Sequence, residues 1–183
     1  MQTSITAPSR SEIVLWAVLS AITLFVHLVT STHYGYFHDE LYFIACARHL
    51  AWGYVDQPPL VAVAAWFSGF FGYSLVVLRL LPAISAALTV WITCAIVREF
   101  AGGRFAQLLA GIGVMLLPTY LVLGNTLTTT SFEPFSWTLA AYLLIRIIRN
   151  REMPLWPVIG LAVTFGMYGK YTMAMFAATL LVG

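Results

Sequence analysis

Residues 13–32 run for twenty positions without an Asp, Glu, Lys or Arg. A bilayer core about 30 Å thick is crossed by roughly 20 apolar residues in a helix, so this stretch alone predicts a span. Residues 80–97, 105–124 and 154–170 form further apolar runs, 132–148 is a weaker one, and 171–183 starts another. With 61% hydrophobic and 9% charged residues, the chain lies outside the composition of soluble domains. The first run is too long for a removable signal and lacks its small-residue cleavage pattern, so it is read as retained. These runs predict an all-α polytopic membrane protein with about five to six transmembrane helices. A net charge of +2, thinly spread, argues against a nucleic-acid partner. Cys46 and Cys94 fall in different environments and predict neither a disulfide nor a metal framework.

Residues 58–78 are also about one span long and uncharged. The distribution of arginines decides how to treat them, because positive charge collects on the cytoplasmic side. If 58–78 stay on the outer surface, Arg10, Arg98, Arg104, Arg146, Arg149 and Arg151 all become cytoplasmic, and Arg48, Arg79 and Lys170 lie outside. If they cross, most of that set is forced outward. The first arrangement is favoured, with 58–78 interfacial or re-entrant and the loop 33–79 facing out.

Two adjacent carboxylates, Asp39 and Glu40, then stand just beyond the first span in HDELYF. Helix capping accounts for them in part, with Asp39 as N-cap and Glu40 at the positive end of the helix dipole. Capping does not account for the surrounding Tyr34, Tyr36, Phe37, Tyr42 and Phe43, or for Asp56 in the same loop.

The pair HDELYF, the aromatic and basic ACARHLAWG, the element DQPPL and the entry LRLLPAIS follow one another between residues 34 and 86. In this order they resemble the GT-C class of integral membrane glycosyltransferases. The likeness is to bacterial relatives of the protein O-mannosyltransferases and of the lipid A aminoarabinose transferase. GNTLTTTSFEPFSWTLAAYLLIR and GMYGKYT are similar to later segments of that family. The resemblance implies a cell-envelope enzyme of the bacterial inner membrane with interfacial helices between spans 1 and 2 on the outer face. It implies inverting transfer of a sugar from a polyprenyl-phosphate donor to a lipid, glycan or protein acceptor. Asp39 matches the family's general base, and Glu40 would orient the acceptor or support Asp39. Because a phosphate leaves as an anion, one base suffices, unlike the paired carboxylates of glycoside hydrolysis.

The departing phosphate needs a cation, and three stand on the predicted outer side. Arg48 lies about 80° round the helix from Glu40, so an ion pair with Glu40 and a phosphate contact are both open. Arg79 enters the second span, where it reaches either lipid headgroups or a ligand. Lys170 interrupts an apolar run and is either a boundary lysine or a binding residue. The sequence singles out no particular cofactor. A divalent cation held by His33, His38 and His49 with Asp39 and Glu40 is the alternative source of charge, although their spacing matches no standard site. Tyr36 is a further candidate for substrate binding. Asp56 is read as site support or as a turn residue before Pro58 and Pro59. Glu133 stands where the family often has aspartate. Its extra methylene changes reach by about 1.5 Å, one carbon–carbon bond, and a cap before Pro134 is the competing reading.

The sequence stops within the apolar FAATLLVG, so the chain is expected to be the N-terminal portion of a longer transferase domain and inactive alone. A transporter, or a flippase-like handler of a lipid-linked sugar, is the alternative class. Transporters place ionisable groups near the midplane, whereas these carboxylates cluster at one face.

Overall fold

The computed structural model describes residues 7–182, and among these every regular element is helical. In chain order they are α1 (Arg10–Thr30), α2 (His38–Ala47), α3 (Leu60–Gly69), α4 (Leu75–Glu99), α5 (Arg104–Met115), α6 (Pro118–Leu123) and α7 (Glu133–Asn150). A 3₁₀ turn (Met153–Leu155), α8 (Trp156–Gly169) and α9 (Thr172–Val182) complete it. Two helices, α1 and α4, are long and apolar enough to cross a membrane, while α3, α5 and the 153–169 segment are shorter apolar helices. The expected five to six spans therefore coarsen, among the described residues, to an all-helical structure with two full-length apolar helices.

α1 begins at a reciprocal cap. The Ser9 hydroxyl accepts from the Glu12 N–H, and Glu12 returns a bond to the Ser9 N–H. One face of the helix then buries Trp16, Leu19, Thr23 and His27. The other leaves Val14, Val18, Phe25 and Val29 uncovered, an apolar stripe suited to lipid rather than water. α4 is the central element, packing on α1, α5 and α7. Trp16, Leu19, Val90, Cys94 and Ala95 form the core between α1 and α4. Gly111 lets α5 close on that seam, because a Cβ there would lie 2.7 Å from Leu19 Cδ1 and 2.9 Å from Cys94 Sγ.

The two ends of the α1–α4 pair are tied by different polar networks. At the end carrying the arginines, Glu12 lies 3.7 Å from Arg98. There the Gln107 side chain donates to Glu12 at 2.9 Å and accepts from the Trp16 indole at 2.8 Å. At the opposite end, Arg79 of α4 donates to the Ser31 carbonyl just after α1. The chain between Ser31 and Arg79 thus leaves one end of the pair and returns to it. α3 is too short to cross in between, since ten residues rise only about 15 Å.

Segment 58–78 is not one interfacial helix, however. It divides into α3 and the first turn of α4 around a left-handed corner at Gly72 (φ 68°) and Tyr73 (φ 58°), and α4 starts at Leu75 rather than near residue 80. The 105–124 run also divides. Pro118 lacks an N–H and clashes with a helical carbonyl behind it, so α5 ends, Leu117 is extended, and α6 begins anew.

Candidate functional site

Most of the candidate site lies at the end of the bundle where α1 stops and α4 starts. Its frame is the contact between Glu40 and Arg79, 0% and 3% exposed. Glu40 Oε1 accepts from Arg79 Nε at 2.8 Å and from the Leu127 N–H at 3.0 Å. Oε2 accepts from Arg79 Nη2 at 2.7 Å and from the Phe37 N–H at 2.9 Å. Four donors saturate the four in-plane lone pairs of the carboxylate. On the other side, Arg79 Nη1 donates to the carbonyls of Ser31 and Tyr34, and Nη2 also donates to that of Gly35. All five guanidinium N–H donors are engaged.

This arrangement redistributes the roles expected of the acidic pair. The capping bond predicted for Asp39 belongs to Glu40, which reaches back to the Phe37 N–H at the start of α2. Glu40 has no lone pair left over from these four contacts. Its cation is Arg79, not Arg48. Arg79 in turn has no donor free for a phosphate or a lipid headgroup. The pair ties the loop after α1, the start of α2, α4 and the segment around Leu127 into one unit.

Asp39, the next residue, is treated oppositely. It is 42% exposed, and its recorded side-chain partner is His38, whose Nε2 lies 2.9 Å away. Three residues on along the helix, and so on the same face, Tyr42 donates to Asp56 Oδ1 at 2.8 Å. The accepting Asp56 carboxylate, with a smaller contribution from Cys46, holds the Tyr42 phenol well above its ordinary pKa. DQPPL is thereby docked to α2 beside Asp39. Tyr36 donates to the Tyr73 carbonyl at 2.7 Å, fastening the first loop to the corner before α4.

A second ion pair lies between α7 and α8. Glu133, the first residue of α7, accepts from the Thr172 hydroxyl and sits 3.5 Å from Lys170 Nζ, which also donates to Thr130 at 3.1 Å. Lys170 is extended (φ −161°, ψ 138°) where α8 stops, and it stays 37% exposed. Arg48 caps the end of α2 and is exposed. Among the described residues, no group of three or more His, Cys, Asp or Glu converges to hold a metal ion.

Two kinds of groove adjoin these groups. One is apolar and has two adjoining parts of about 460 and 370 Å³ that share Leu60, Val63 and Phe165. It leads from Trp52 and Tyr168 along α3 toward Leu88 of α4. Arg48 precedes its wall segment Leu50–Trp52 by two residues, and Lys170 follows Tyr168 by two. The other groove, about 550 Å³, lies between the first loop (Tyr34–Phe37) and the segment Leu121–Thr126.

Sequence reading missed the carbonyls of Ser31, Tyr34 and Gly35 and the N–H of Leu127. Backbone groups carry no residue signature, so no signal was there to find. The partners Thr130 and Thr172 were signalled only by the hydroxyl-rich TLTTTSF and by the threonine after GKY.

A family model described as dolichyl-phosphate-mannose-protein mannosyltransferase matches residues 56–182, more than half of the chain. The match includes Asp56, Arg79, Glu133 and Lys170 and begins after Asp39, Glu40 and Arg48. No curated protein and no solved structure matches the chain.

Proposed function

The chain belongs to the dolichyl-phosphate-mannose-protein mannosyltransferase family, and from that premise we propose that it carries the catalytic site of an inverting glycosyltransferase in a membrane. The donor is a polyprenyl-phosphate sugar, and the acceptor is a hydroxyl of a lipid, glycan or protein. The membrane is the bacterial inner membrane, with loop 33–79 on the periplasmic face and the arginine end in the cytoplasm, in keeping with the positive-inside rule.

The observation that carries this reading is the contrast between neighbours. Glu40 is buried and saturated by four donors, whereas Asp39 beside it in the same turn of α2 is 42% exposed and meets the exposed imidazole of His38 at 2.9 Å. A base must be positioned and open to the acceptor, and Asp39 is held by the Glu40 frame while its exposed carboxylate keeps lone pairs that His38 does not occupy. In the transfer, the acceptor oxygen forms a bond to the anomeric carbon on the face opposite the phosphate. The carbon–oxygen bond to the phosphate breaks, its electron pair leaves with the polyprenyl phosphate, and the acceptor's proton passes to Asp39. Arg48 and Lys170, the cations with donors to spare, hold the phosphate, and the apolar groove along α3 takes the isoprenoid tail. Asp56 acts through Tyr42, keeping α2 and the DQPPL segment together. Glu133 positions Lys170.

Asp39→Asn in the full-length protein is expected to reduce sugar transfer by about 10² to 10⁴, the usual contribution of a general base. The readout is transfer from a synthetic polyprenyl-phosphate sugar in membranes, with donor binding followed separately. Undiminished turnover excludes Asp39 as the base. Equal loss of donor binding makes it a donor-site residue instead.

A further inference from the structure

We infer that the groove between Tyr34–Phe37 and Leu121–Thr126 is a binding site for an uncharged, hydroxyl-bearing group such as a sugar ring, and that it receives the acceptor. The inference rests on the transferase reading, which left the acceptor without a place.

Charge separates this groove from the apolar one. Arg79 lines it, but its charge is matched by Glu40 and its five donors are taken by Glu40 and three carbonyls. An anion entering here would give up some of its water and meet no unengaged donor of Arg79, which disfavours phosphate. The apolar groove has Arg48 and Lys170 close by in the chain. The phosphorylated partner therefore belongs there and the uncharged partner here.

The lining suits a hydroxylated ring. Tyr34 is 77% exposed, and Tyr36 and Phe37 are also uncovered. Together they offer flat faces for the C–H side of a sugar, as aromatic rings do for other apolar surfaces. Tyr36 and Thr126 have each given their hydroxyl proton to a backbone carbonyl, of Tyr73 and Val122, so their oxygens keep lone pairs for incoming hydroxyls. Asn125 adds an amide at the same wall. A volume of about 550 Å³ falls within the range of small-molecule sites. The groove is also close to the proposed base in the chain, since Phe37 precedes Asp39 by two residues.

The test uses the full-length protein in nanodiscs with octyl β-D-glucoside and octyl phosphate as probes, binding being read by saturation-transfer NMR. Tyr34→Ala is expected to weaken the glucoside about three- to tenfold and leave the phosphate unchanged, while Lys170→Gln does the reverse. Val122→Trp, which fills the groove from an exposed position, is expected to abolish glucoside binding. Unchanged glucoside binding in both groove variants overturns the site, as does displacement of glucoside by octyl phosphate. If the glucoside binds as stated but the protein transfers no sugar, the transferase reading fails and the groove stands. If transfer depends on Asp39 while Tyr34→Ala leaves the acceptor KM unaltered, the groove fails and the transferase reading stands.

Discussion

The two ends of the α1–α4 pair solve one problem in different ways. Each must hold an arginine of α4 against a glutamate across the bundle. At the arginine end the bond is loose. Arg98 and Glu12 stand 3.7 Å apart and partly exposed, and the neutral Gln107 bridges Glu12 and Trp16. At the site end Arg79 and Glu40 are buried, two-pronged and saturated. A half-buried pair at 3.7 Å holds its geometry loosely, whereas a buried pair is strongly destabilising to break even where its net contribution is small. The site end is therefore built for fixed geometry, and what it fixes is the turn of α2 that carries Asp39.

This contrast breaks first at Arg79. Arg79→Met leaves Glu40 charged and buried, and about 3–5 kcal/mol of stability is expected to go, read as a lowered unfolding midpoint in detergent. Arg79→Met with Glu40→Leu removes the charge altogether and is expected to recover much of that loss. A single variant as stable as the wild type would show that the buried pair does not hold this end together.

Gln107→Leu probes the other end. It leaves the buried Trp16 indole N–H without its acceptor, for an expected loss of about 1–3 kcal/mol, and the same unfolding measurement checks it. Sugar transfer per folded molecule is expected to stay at the wild-type level, because this network lies at the far end of the helices from Asp39. A selective loss of transfer would mean that the two ends are coupled.

The smallest effect is expected at Tyr42, which docks Asp56 to the surface of the site end. Its folded pKa is raised because Asp56 accepts its proton in a hydrogen bond. A group with a raised pKa contributes its stability below the unfolded value, here about 10, and loses it as pH climbs through the folded value. The docking is thus intact at neutral pH and weakens only in strong alkali. Ultraviolet titration at 295 nm should show one tyrosinate step that lags the rest. Asp56→Asn should advance that step, and a titration unchanged by Asp56→Asn would sever Tyr42 from Asp56.

Much of this architecture was legible because the bilayer is a severe solvent. Twenty uncharged positions before HDELYF are realised as α1, and the arginine-based pairing of ends agrees with the contacts of Glu12, Arg98 and Gln107 at one end and Ser31 and Arg79 at the other. Boundaries were less legible. Hydropathy does not distinguish a continuous helix from one interrupted at Pro118, nor an interfacial helix from the α3–α4 corner at Gly72 and Tyr73, since apolar residues lie on both sides of each break.

Asp39 and Glu40 look alike in the sequence, two carboxylates in the first turn of one helix. That they begin α2, beyond an apolar span and among aromatics, is local information, and the chain carries it at adjacent positions. Which one is buried is not local. Glu40 meets Arg79 across 39 positions and Leu127 across 87, while Asp39, rotated about 100° from it on the helix, faces outward. The direction of a side chain relative to distant elements follows from how the helices pack, so only the tertiary structure assigned one carboxylate to the frame and left the other exposed.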